Sequence, residues 1–406
     1  MTHPPDHHTV RRDPAVDVLP VPQPDARAHS ARLIRRIRDE ILGNGGAITF
    51  ARYMEQALYA PGAGYYLGGL HKFGAQGDFV TAPEISPLFS RCLARQCAAG
   101  LAATGGGDVL EFGAGSGVMA ADVLLELERL GRLPDHYRIL ELSGDLKARQ
   151  HATLVTRSPH LLPWVEWLER LPAEPMRGVV LANEVLDAIP VHRFRMDSSG
   201  VEELFVGWED DHFTWRIGPP SDPRLADYVA RLSETLGAPL PPGYLSETNL
   251  LLTPWVRTIA DGLAAGVVLV IDYGYPRREY YHPQRTGGTL MCHYRHRAHP
   301  DPLILTGLQD ITAYVDFTAL AEAAQDAGLE VAGFTTQAQF LLGCGLGELL
   351  ADSDPTDTVR YLALTQQAKT LTLPGEMGER FKVMALTRGI RAPLAGFALR
   401  DLRDRL

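Results

Sequence analysis

From residue 108 onward, short apolar runs alternate with longer amphipathic ones: DVLEF, the helix-like VMAADVLLELERL, YRILEL, a helix opening at Ser143, WVEWL and then GVVLA. Strands separated by helix-length connections do not pair as hairpins. They pair in parallel through right-handed crossovers, which places them in one sheet with helices on its faces. The pattern resumes with GVVLVIDYG at 266–274, then LEVAGF, and closes on FKVMAL. Between these stretches, residues 191–217 carry strand-like runs (VHRFRM, VEELFVGW, HFTWRI) and residues 219–243 are proline-rich around a short amphipathic helix. This reads as an insertion over the ligand edge of an α/β sheet.

The first strand runs into FGAGSG, with Gly113, Gly115 and Gly117 at alternate positions. Glycines so placed after a buried strand mark a turn with positive φ, or a backbone that a ligand approaches closely. A dinucleotide loop has the spacing G-x-G-x-x-G, but here the third glycine comes one residue early and position 118 is Val. Glu141 ends the second strand, where an acid holds ribose hydroxyls. Loop and acid suit NAD or S-adenosylmethionine. The compressed spacing, and Glu111 just before the turn as an attractor for the methionine ammonium, favour S-adenosylmethionine. The fourth strand ends in LANEVLDAIP, which brings Asn183, Glu184 and Asp187 to the same edge, where a transferase would hold its acceptor. The alternative is a helix start, with Asn183 as cap and Glu184 favouring the dipole.

A net charge of −10 argues against capture of nucleic acid, which leaves a basic footprint. No apolar stretch approaches the ~20 residues that span a bilayer. Cys92, Cys97, Cys292 and Cys344 form no C-x-x-C pair, so neither a zinc ribbon nor a disulfide framework is expected. The block CHYRHRAHP brings Cys292, His293, His296 and His299 close in sequence, but mixed strand and loop gives no convergent ligand geometry, and no metal is expected. Reduced cysteines, and an N-terminus with prolines and acids in place of a leader, lead to the expectation of a cytoplasmic protein. Helix starts are expected at Ser30, Thr49, Ser86-Pro87 and Ser143.

Several ordered blocks resemble the MidA-like family, which includes the mitochondrial complex I assembly-factor arginine methyltransferase. They are GDFVTAPEIS (77–86), LEFGAGSG (110–117), LEL (140–142), ANEVLDAIPVHRF (182–194), VVLVIDYGY (267–275), GGTLMCHYRHRAHPDPL (287–303), DITAYVDF (310–317) and MGERFKVMAL (377–386). Together they cover nearly everything from about residue 46. Ala114 stands where the family often has Pro. The resemblance implies a class I methyltransferase fold: a Rossmann-like seven-stranded sheet, last strand antiparallel, with an N-terminal helical extension and an insertion after the fourth strand. It implies S-adenosylmethionine as cofactor, the three glycines as donor loop, Glu141 as ribose ligand and Trp167-Leu168 beside adenine. It also implies a lid carrying Asp78, Thr81 and Glu84. The acceptor it implies is arginine on a protein partner such as a respiratory complex I subunit, with Glu184, Asp187 and Glu203 as the acids at hand. Arg295, Arg297 and Gln309-Asp310 either line the acceptor side or stay solvated.

The expected organisation is a disordered tail (1–28), a helical and lid segment (29–105), the first part of the core (106–190), a substrate-side insertion (191–250), the rest of the core (251–390) and a C-terminal tail (391–406). Two other functions stay open. A small-molecule methyltransferase would want an enclosed apolar pocket in the insertion, and an assembly chaperone would bind the donor without turnover.

Overall fold

The structure, a computed structural model, describes residues 19–68, 80–354, 356–391 and 394–406. Its centre is a sheet of seven main strands: β1 (Asp108–Phe112), β2 (Tyr137–Leu140), β3 (Val165–Leu168), β4 (Met176–Asn183), β5 (Leu263–Tyr275), β6 (Glu330–Thr336) and β7 (Phe381–Arg388). Their order is β6-β7-β5-β4-β1-β2-β3. The run from β5 to β3 is parallel, and β7 is antiparallel to both its neighbours. A two-residue strand, Val315–Asp316, adds to the end of β5. This is the class I methyltransferase sheet that the family resemblance implies, and its parallel run is the one the strand and helix alternation predicts.

Strands β4 and β5 are apolar at nearly every position because helices cover both faces of the sheet. On one face Val179, Leu181 and Leu269 pack against Cys97, Val123 and Leu124. On the other Val180, Val268 and Val270 meet Val256, Ile259 and Leu320.

Six helices belong to the N-terminal part and first crossovers: α1 (Pro24–Gly43), α2 (Phe50–Tyr59), α3 (Ala82–Ile85), α4 (Pro87–Thr104), α5 (Val118–Arg129) and α6 (Gly144–Arg157). The side chains of Thr49, Ser86 and Ser143 cap α2, α4 and α6, accepting from Arg52 N, Leu88 N and Leu146 N. The start expected at Ser30 is wrong. The helix begins at Pro24, whose fixed φ suits the first turn, so residues 24–28, assigned to the tail from sequence, are helical. Ser30 instead lies buried, donating its hydroxyl to Thr306 O at 2.8 Å.

Two antiparallel sheets flank the ligand edge. One joins His192–Asp197, Gly200–Glu209, His212–Gly218 and Leu245–Thr248 with Ala47–Thr49 from the N-terminal segment. Phe50 and Tyr53 of α2 and Val206 and Phe213 of this sheet share a core. The other sheet, Met291–Tyr294, Arg297–His299 and Asp310–Thr312, grows from the connection after β5, a stretch the sequence reading left within the core. Its hairpin turns at Arg295 and His296, both at positive φ. Among the described residues no helix is long and apolar enough to cross a membrane.

Candidate functional site

Register brings the donor elements together. Phe112, Leu140 and Leu168 are aligned at the ends of β1, β2 and β3, so the residues that follow each strand emerge at one edge. Gly113 N donates to Leu140 O (3.2 Å) and Gly117 N to Ala114 O (2.8 Å), folding the loop back into α5. Gly113, Gly115 and Gly117 have φ of 60°, 54° and 82°, the region glycine enters without penalty. The two outer glycines serve different ends. A Cβ on Gly113 would meet only Val185 Cγ2, at 3.9 Å, so this position opens onto space a ligand can enter. A Cβ on Gly117 would lie 2.9 Å from Gln150 Cα, so this glycine lets α6 pack against the loop.

Glu141 is 7% exposed, with Oε1 accepting from Ser143 N (2.9 Å) and Oε2 from Gln150 Nε2 (3.0 Å). Gln150 ties the cradle together. Its Nε2 also donates to Gly115 O (3.2 Å), and its Oε1 accepts from Trp167 Nε1 (2.9 Å). Leu168 O accepts from Glu141 N at 3.0 Å, so Leu168 is tied to Glu141 directly and Trp167 through Gln150. Sequence reasoning missed Gln150. The available signal was an amide in the buried stripe Leu146, Gln150, Leu154 of α6. Replacing Gln150 with Ala is expected to weaken donor binding by about 10-fold, the worth of one hydrogen bond to a charged group, measured by calorimetry. Gln150→Glu is expected to weaken it more, by setting a second carboxyl against Glu141.

Glu111 lies beneath the loop and not at its rim. It is 1% exposed, accepts from Tyr137 Oη at 2.7 Å, and burial pushes its carboxyl up to about 7. Of the lid residues, Asp78 falls outside the described residues. Thr81 precedes α3, its carbonyl accepting from Glu84 N and Ile85 N, while its side chain makes no capping bond. Glu84 accepts from Ser116 Oγ of the glycine loop.

The second half of the site stands at the ends of β4 and β5. Asn183 Nδ2 donates to Glu184 Oε1 (3.2 Å). Glu184 itself has φ of 52°, a conformation that costs a non-glycine residue about 1–3 kcal/mol and clusters at functional sites. Burial, then the neighbouring Asp187 charge, pushes its carboxyl up to about 8. Asp187 is 4% exposed, burial raises it to about 6, and it accepts from Tyr273 Oη. Asp187 Oδ1 and Asn183 Oδ1 are buried with no partner among the described residues. Val185, between the two acids in sequence, is the side chain that faces Gly113, so the turn that carries the acids adjoins the glycine loop. Tyr59 of α2 packs against this turn, its hydroxyl donating to Ala188 O at 3.0 Å. Asp310 joins this side, accepting from Tyr66 Oη at 2.9 Å.

Other candidates fall away. Glu203 is 0% exposed inside the inserted sheet, held by His192 Nδ1 (2.8 Å) and Ser221 N (2.6 Å). Arg295 and Arg297 are exposed at the hairpin tip, and Gln309 is buried, donating to Asp301 O and Ile304 O. Cys292 is buried while His296 is exposed.

A glycine cradle beside the buried carboxylate of Glu141, with α6 closing behind it, fits S-adenosylmethionine. Residues 92–335 match the model of a family described as "Putative S-adenosyl-L-methionine-dependent methyltransferase". The chain belongs to this family. It is an S-adenosylmethionine-dependent methyltransferase. A Burkholderia thailandensis protein solved with bound S-adenosyl-homocysteine is 47% identical, with a TM-score of 0.91 over 96% of this chain and 100% of that one. The human protein arginine methyltransferase NDUFAF7, mitochondrial, is 29% identical over 84% of this chain and 80% of its own length. Its Drosophila melanogaster homologue is 28% identical over 93% and 91%. These relatives are named mitochondrial, which overturns the cytoplasmic expectation. That expectation rested on reduced cysteines and on the look of the N-terminus, and reduced thiols do not distinguish one reducing compartment from another.

Proposed function

We propose that this methyltransferase modifies arginine side chains of a protein partner, with a respiratory complex I subunit as the candidate that the family resemblance supplies. One observation carries the reading: the turn that holds Glu184 and Asp187 adjoins the glycine loop through Val185, and among the described residues neither acid has a lysine or arginine partner and Asp187 Oδ1 has no partner at all. Buried like charges cannot all ionise alone, and a cation is what such a site accepts. A guanidinium meets carboxylates through a planar fork of N–H donors. The names of the curated relatives support the same acceptor.

When bound, S-adenosylmethionine supplies a methyl group activated by attachment to a sulfonium sulfur. The chain's own residues supply position and charge. The glycine loop and Glu141 hold the donor, Asp187 Oδ1 accepts a guanidinium N–H, and Glu184 offsets the cation's charge. The carboxyls of Glu184, near 8, and Asp187, near 6, lie above the ordinary range, so the free site retains a proton at neutral pH that an arriving guanidinium displaces. Since the ionised acids orient the acceptor, the rate of transfer is expected to rise with pH across about 6 to 8. A profile flat over that range at saturating donor would remove both acids from acceptor recognition.

The cavity of about 930 Å³ bordered by helices Pro223–Leu236, Leu252–Asp261 and Phe317–Asp326 is lined by Arg224, Asp227, Arg231, Arg257, Asp261 and Asp326, among others. Leu232, Leu252, Ala319 and Ala323 line it as well, and neither Glu184, Asp187 nor a glycine of the 113–117 loop does, so it lies apart from the acids proposed to meet the acceptor. Comparative mass spectrometry of a strain lacking the protein tests the reading. Loss of methylation at an arginine site is expected, and an arginine methylation pattern identical to wild type would refute it.

A further inference from the structure

The end of β5 carries two residues that neither donor nor acceptor binding has used so far. Asp272 is buried, and one of its carboxylate oxygens accepts from Leu186 N (3.0 Å) and Asp187 N (3.2 Å). Its other oxygen accepts from Tyr273 N (2.9 Å). This pins the turn that carries Asp187. The Tyr273 hydroxyl then donates to Asp187 Oδ2, and its ring is fixed edge-on by Tyr314 and Phe381, with centroids 5.2 and 5.3 Å away. What remains is Asp187 Oδ1, buried and without a partner among the described residues. Such an oxygen is costly to bury unless a donor arrives.

We propose that Tyr273 is a positioning residue for methyl transfer: by occupying Oδ2, it leaves Oδ1 of Asp187 as the atom that receives an N–H of the acceptor's guanidinium, while Asp272 fixes the turn. This rests on the reading of Asp187 as an acceptor contact. The groups facing Asp187 are Glu184 from its own turn, Asp272 and Tyr273 from β5, Tyr59 from α2, and Tyr66 with Asp310 behind it. The charged members are all acids. The Tyr273 hydroxyl therefore matters to the ionisation of Asp187, because its hydrogen bond works against the burial that raises that carboxyl.

The test uses the full chain with Tyr273→Phe and Asp187→Asn, following methyl transfer to protein across pH at saturating donor. Tyr273→Phe keeps the ring. Because it leaves Asp187 Oδ2 without its donor, it is expected to lower the thermal midpoint modestly, to preserve donor affinity, to slow transfer per folded molecule at neutral pH by about 10-fold or more, and to move the acid limb of the profile to higher pH. A residue that merely filled space would leave the limb where it is. An inactive Asp187→Asn beside a Tyr273→Phe with wild-type rate and limb would overturn the positioning role and leave the acceptor reading intact. An Asp187→Asn with wild-type rate would overturn both.

Discussion

Replacing Glu184 with Gln is expected to lower methyl transfer to protein by about 100-fold or more, while donor affinity and fold stay near wild type. The substitution keeps the shape and the hydrogen bond from Asn183 but removes the charge. Loss of a positioned charge at a reacting centre commonly costs this much. Burial and the Asp187 charge already hold the Glu184 carboxyl near 8, so an amide there removes like-charge repulsion, and stability is expected to hold or rise slightly. No helix follows Asn183, since residues 184–190 form bends and turns, so the helix-start alternative fails. A glutamate whose only task was to hold that turn would give a small stability change and an unchanged rate per folded molecule. Parallel calorimetry with S-adenosylmethionine and a transfer assay separate the two.

The second large effect is expected at Gly117. Gly117→Val must hold a β-branched residue at φ of 82° and place a Cβ 2.9 Å from the Gln150 backbone. The strain costs about 1–3 kcal/mol, and the shift of α6 separates Gln150 from Gly115, Glu141 and Trp167 at once. Donor binding is then expected to fall by more than about 100-fold, because the glycine loop itself is displaced in addition to the loss of the one hydrogen bond to a charged group, Gln150 to Glu141, worth about 1.5–3 kcal/mol. Gly113→Ala provides the contrast. Its Cβ meets no protein atom closer than 3.9 Å, so the protein should fold with a modest penalty for positive φ and still bind donor poorly. Equal donor affinity for Gly113→Ala and wild type would place the donor elsewhere.

The sheet was legible because each core strand is apolar along its length and each crossover is long enough for a helix. The donor loop and Glu141 were legible because both sit directly at strand ends, where order along the chain and place in space coincide. Gln150 was not, because its worth lies in three partners from a loop, a strand end and another strand, 35, 9 and 17 residues away. Asp272 and Tyr273 lay in a block read only as a core strand and as part of the family resemblance, since nothing local signals that they close on a turn some 85 residues earlier. The start of α1 was misplaced because Ser30 looks like a cap, whereas Pro24 begins the helix and Ser30 is spent on a contact with Thr306. Glu203 was drawn to the acceptor side by its charge alone, and the pleat of the inserted sheet turns it inward to His192.

The most direct measurement gives purified protein and labelled S-adenosylmethionine to an extract of cells lacking the protein, and locates the label by residue-level mass spectrometry. Label on an arginine guanidinium nitrogen is expected with wild type and lost with Glu184→Gln and Asp187→Asn. Label on lysine, no label from wild type, or equal labelling by all three proteins would contradict the account.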